Sequence, residues 1–131
     1  MKRLIATVLL LTFIFAFASC AKLSKDPVDL GKKLNKAYGD DAQIFIMMSE
    51  GDIESLAKSF DISDKGVYAV LEIETNDDGL AYVIYCEKTS QAKDVEEDCS
   101  DFLDELDEDD YIVKRSGKVV FVGSEDILDE I

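Results

Sequence analysis

Two strand–turn–strand units with one long amphipathic helix between them do most to limit how this 131-residue chain can fold. Val67–Thr75 is rich in branched and aromatic residues and alternates toward its end. Asn76-Asp77-Asp78-Gly79 is a turn cluster, and Leu80–Cys86 returns as the second strand of a hairpin. From Ser90 to Leu106 the apolar residues Ala92, Val95, Cys99, Phe102, Leu103 and Leu106 fall at three- and four-residue steps, which is one face of a helix. A second hairpin runs through Tyr111–Lys114, turns at Arg115-Ser116-Gly117 and comes back through Lys118–Val122. The unbroken run Val119–Val122 predicts a strand covered on both faces, hence interior to its sheet.

Helices are expected before and after this block. Asp26 can cap a first turn that starts with Pro27, and Asp29 complements the helix dipole. Leu30, Leu34, Ala37 and Tyr38 share one face of that helix, which ends at Gly39. Ile44–Met48 is an apolar run without a decisive period and is left unassigned. Ser49 caps a helix bearing Ile53, Leu56, Ala57 and Phe60, and Ser124 caps a last helix over Glu125–Ile131. The predicted order is αα-ββ-α-ββ-α. This is an α+β fold in which a four-stranded antiparallel sheet packs against the Ser90–Leu106 helix, with the N-terminal helices covering other apolar surface.

The N-terminus carries an address. Lys2 and Arg3 precede an apolar run from Leu4 to Phe17, which ends at Ala18-Ser19-Cys20. A cationic head, an apolar segment too short to span a bilayer and small residues at the cut are the layout of a signal peptide. The cysteine at the boundary resembles a lipobox, so residues 1–19 read as a lipoprotein signal peptide. Cys20 is then the site of lipid (palmitate) attachment, 20–26 a tether and 27–131 a single domain. Ala16-Phe17-Ala18 also fits an ordinary signal peptidase site, which would release Ser19 as the first residue of a secreted protein. The expected location is the outer face of the cytoplasmic membrane, with the membrane itself a partner through lipid on Cys20.

Cleavage before Cys20 leaves 112 residues (131 − 19), the length of one domain. The lost segment holds Lys2 and Arg3 and no acid, so the formal charge moves from −15 to −17. Such a chain is repelled by nucleic acid and by anionic head groups alike. No nucleic-acid partner is expected, and another envelope protein is.

The chain has no histidine, which removes His-based triads and zinc sites. Cys86 and Cys99 would be an even pair in an exported protein, and spacing alone leaves their pairing open. A helix running back along its strand would set Cys99 over mid-strand, beyond the ~7 Å Cα reach of a disulfide from Cys86, and favours two buried thiols. The acidic stretch Asp94–Asp110 reads chiefly as the solvated face of a helix. Asp107-Glu108-Asp109-Asp110 starts like a calcium loop, but Tyr111 and Ile112 stand where a third ligand and the glycine belong. Asp107, Asp109 and Asp110 are therefore weak metal candidates, and no cofactor is expected. Tyr68, Val70, Tyr82 and Tyr85 on the first hairpin are expected mainly in packing.

Phe60-Asp61-Ile62-Ser63-Asp64 leads into Val67-Tyr68-Ala69, and the second hairpin ends in Val120-Phe121-Val122-Gly123-Ser124-Glu125-Asp126. These segments resemble the "YGID"-like and "VVSED"-like signals of the domain-of-unknown-function family 4358, found in small lipoproteins of clostridia-type bacteria. The resemblance spans about Asp29 to Ile131, a one-domain length. It implies no activity and no functional residue. The expected function is a lipid-anchored extracytoplasmic domain, non-enzymatic, with a binding or structural role. The competing expectation is an envelope hydrolase that uses carboxylates and a divalent cation.

Overall fold

A computed structural model describes residues 23–106 and 110–131. The fold is α+β, with four α-helices and a five-stranded antiparallel sheet among the described residues. In chain order the elements are α1 (Pro27–Tyr38), a 3₁₀ turn (Gly39–Asp41), β1 (Ala42–Met47) and α2 (Glu50–Phe60). Then come β2 (Val67–Thr75), β3 (Leu80–Cys86), α3 (Thr89–Leu106), β4 (Tyr111–Ser116), β5 (Val119–Ser124) and α4 (Glu125–Glu130).

The strand order is β1-β2-β3-β5-β4. The expectation of four strands is corrected to five, because the run left unassigned is the edge strand β1. Ala42 opens its pairing opposite Thr75, and Met47 closes it opposite Val70. Its period was hidden because both faces are apolar. Ile44 and Ile46 turn to α1, while Met47 turns to the other side. β5 lies between β3 and β4, as its unbroken apolar run requires.

Helices cover both faces of the sheet. α1 and α4 lie on one side, where Leu30, Leu34, Ile127 and Leu128 close over Leu71, Ile73, Val83, Tyr85 and Phe121. α2 and α3 share the other side, where Ile53, Ala92, Val95 and Cys99 meet Val70, Ile84 and Val120. Alternation along each strand divides the two sets, as Val83 and Tyr85 against Ile84 and Cys86 show.

Local signals explain the element ends. The Asp26 carboxylate accepts the Val28 amide at 2.9 Å, and Pro27 occupies the first helical position. Ser49 and Ser124 stand at the predicted N-cap positions, but neither side chain bonds its helix. α2 stops at Asp61, whose φ of 54° is left-handed and whose amide reaches back to Ala57 and Lys58 carbonyls. Glycine is the usual occupant of such a cap, and aspartate takes it here. In the hairpin turn, Thr75 Oγ1 accepts the Asp78 amide at 2.8 Å and donates to the Gly79 carbonyl at 2.9 Å.

The folded unit reaches into the segment read as a tether. Leu23 is buried in the α1/α4 core, and the buried Tyr85 hydroxyl donates to the Ser24 carbonyl at 3.0 Å. The segment read as a signal peptide and Cys20 lie outside the described residues. Among the described residues no helix is long and apolar enough to cross a membrane.

Candidate functional site: an apolar cleft between two acidic helices

The cover over the α2/α3 side of the sheet is incomplete. Between α2 and α3 a half-open cleft of about 180 Å³ remains, and its wall is apolar throughout. Leu56, Phe60 and Ile62 form one side, and Phe102, Leu103 and Leu106 the other. Tyr82, Ile84 and Val122 make the floor. The aromatic rings stand edge to face across it. Phe60 lies 5.1 Å from Tyr82 at 64° and 5.1 Å from Phe102 at 84°. Such geometry is favourable for ring pairs and holds the cleft walls in register.

The helices are spaced by the loop that follows α2. There the Ser63 amide donates to Asp98 of α3 at 2.9 Å. On its far side α3 is tied to β4 by the Arg115–Glu96 ion pair at 3.4 Å. The pair is partly exposed, and such pairs add at most about 1 kcal/mol.

Tyr82 links the floor of the cleft to two carboxylates on β2. Its hydroxyl donates to Glu72 at 3.5 Å, across the register that sets Glu72 opposite Tyr82. Burial, and then the negative charge of Glu72, push the phenol up to about 12. Burial first, and then Glu74 beside it, raise the Glu72 carboxyl above its ordinary value. Glu72 also borders a shallow, open trough with Phe45, Met47, Asp52 and Ser55.

Of the residues singled out as metal candidates, Asp110 is an exposed turn residue whose backbone carbonyl accepts the Glu125 amide at 3.4 Å. Asp107 and Asp109 lie outside the described residues. Among the described residues no three acids or cysteines converge as a metal site would require. A solvated acidic face predicts that NaCl and CaCl₂ at matched ionic strength stabilise the domain alike, by screening over ~8 Å. A saturable, calcium-selective rise in Tm at micromolar metal would show a specific site instead.

The hairpin aromatics divide. Tyr85 is buried in the α1/α4 core with Tyr68 6.2 Å away and more exposed, whereas Tyr82 faces the cleft. Cys86 and Cys99 are buried, unbonded thiols on the α2/α3 side. Burial pushes Cys86 up to about 11 and Cys99 up to about 12, so neither holds an appreciable thiolate near neutral pH. Folded domain is expected to react with a thiol reagent only slowly, and unreduced denatured domain to release both thiols. A disulfide-linked peptide pair found by mass would overturn this.

Leu56, Phe60, Phe102 and Leu103 read from sequence as core, and their joint role in a cleft was missed. A helical period reports which face is apolar, not whether the opposing helix closes on it. No protein family, curated protein or solved structure matches the chain.

Proposed function

We propose that this chain is a lipid-anchored extracytoplasmic domain that binds a partner through the α2–α3 cleft rather than catalysing a reaction. The observation that carries the binding role is the cleft itself, an apolar hollow left open between two helices. Apolar cavities of ~150 Å³ admit a single ring, so a site of about 180 Å³ suits one anchoring group. Membership of the family 4358 lipoproteins belongs to the same proposal, supported by the motif segments.

The address rests on Lys2, Arg3, the apolar run and Cys20. Only three Cα–Cα steps separate Cys20 from the buried Leu23, a reach of about 11 Å. Lipid on Cys20 would therefore hold the domain close against the head groups. Cys20→Ala is expected to release the protein into the medium or leave it unprocessed. A wild-type N-terminus at Ser19, with the protein in the aqueous phase of a detergent split, would refute the anchor.

The binding role is tested with an uncharged naphthyl dye whose emission rises in apolar surroundings. Saturable binding that Leu103→Trp blocks is expected, and no saturable signal would refute a binding cleft. The competing reading, a carboxylate hydrolase, would centre on Glu72 and Glu74, where the raised Glu72 carboxyl favours an acid role. Among the described residues no third acid joins that pair as a metal-binding group. Hydrolysis of a glycoside panel that Glu72→Gln abolishes would establish it.

A further inference from the structure

The helices that flank the cleft carry one sign of charge. α3 holds Asp94, Glu96, Glu97, Asp98, Asp101, Asp104 and Glu105 against Lys93 alone. α2 holds Glu50, Asp52 and Glu54 against Lys58, which is itself bridged to Glu54 at 3.0 Å. Four of the α3 acids form a row. Asp94, Asp98, Asp101 and Glu105 recur at steps of four, three and four, each one residue ahead of Val95, Cys99, Phe102 and Leu106. Asp98 and Glu105 stand four before and three after Phe102, the spacing of neighbours on a helix surface. The apolar wall of the cleft is thus bordered lengthwise by carboxylates.

We propose that the cleft docks a cationic amphipathic helix of another polypeptide, with one large apolar side chain seated beside the Phe60–Phe102 ring pair and Lys or Arg residues set along the acidic row. The proposal rests on the binding-cleft reading above and names its occupant. Sign of charge selects among the candidates. A fatty acid, an anionic lipid and a second copy of this chain, at −17 once residues 1–19 are removed, would each bring negative charge against the row. A basic amphipathic helix meets both features at once, because its apolar residues recur at three- and four-residue steps beside its cations. The volume agrees, since about 180 Å³ holds one large anchor and not a lipid tail.

The test uses the protein as its expression host processes it, in neutral-lipid nanodiscs if it carries lipid and in buffer if it does not. The probes are a fluorescent Leu/Lys amphipathic peptide of about 18 residues, long enough to hold a helix, its Leu/Glu counterpart and the uncharged naphthyl dye. One-to-one, saturable binding of the Leu/Lys peptide is expected, with none for Leu/Glu. Leu103→Trp, which fills the cleft, and the double variant Asp101→Lys/Glu105→Lys should each weaken binding at least about tenfold. Leu56→Trp serves as a second cleft-filling variant, and thermal melts verify that each variant folds. Leu/Lys binding lost on charge reversal but untouched by both tryptophans is surface attraction alone and overturns the proposal. Dye entry blocked by tryptophan, with neither peptide bound, overturns this occupant and leaves the binding cleft standing. No probe entering overturns both.

Discussion

Gly123→Ala is expected to lower the stability of the domain by at least about 3 kcal/mol, or to prevent folding altogether. Gly123 lies in β5 directly opposite Ala81 of β3, with φ at 149°. A methyl group there would run into the Ala81 Cα and stand 2.5 Å from the Leu80 carbonyl oxygen. Backbone cannot swing aside as a flexible side chain would, because β3 is held on its other edge by β2. The damage would fall at the cleft, which Leu80 and Gly123 help to line. Gly117→Ala is the control. Its φ of 59° also favours glycine, but nothing lies within 4 Å of the added methyl. About 1 kcal/mol of conformational strain is then the whole cost. Denaturant titration of both variants decides, and a Gly123→Ala loss no larger than that of Gly117→Ala would show that β3 and β5 separate more easily than their register implies.

Phe121→Ala is expected to cost about 3–5 kcal/mol, as emptying a large buried aromatic site does. Phe121 is fully buried in the α1/α4 core, in the cluster that also holds Val83, Leu30 and Ile127, so the cavity has no room to collapse. Phe102→Ala removes the same group from a half-buried cleft wall, where water already reaches the ring. Its loss should be about half as large, because the cavity term is missing. Equal losses in denaturant titrations would mean that Phe102 is enclosed as tightly as Phe121. The two phenylalanines therefore measure the openness of the cleft on which the binding reading depends.

Much of the fold was legible because the physics that shapes it is local. The first hairpin showed itself through the branched residues of Val67–Thr75 and the Asn76–Gly79 turn, and both strands stand within those bounds. α1 showed itself through Asp26 and Pro27, and its capping bond is present. β1 was not legible, since Ile44–Met47 is apolar toward both sides and shows no alternation to read. Its strand state depends on Glu72 and Ile73 being there to pair with, a contact made from another part of the chain.

The sequence alone determined the acidic charge, the absence of histidine, the two hairpins and most of the face that each helix buries, Ala37 and Leu106 being the exposed exceptions. These are properties of composition or of spacing within a few residues, and no distant contact can change them. Tertiary structure decided that α2 and α3 lie on the same side of the sheet, braced by Ser63 and Asp98, and that they leave a cleft beside the Phe60–Phe102 contact. A period of 3.6 residues states that Phe60 and Phe102 seek apolar surroundings. That the two rings meet and leave a cleft beside them depends on strand order and helix spacing, which no single segment encodes.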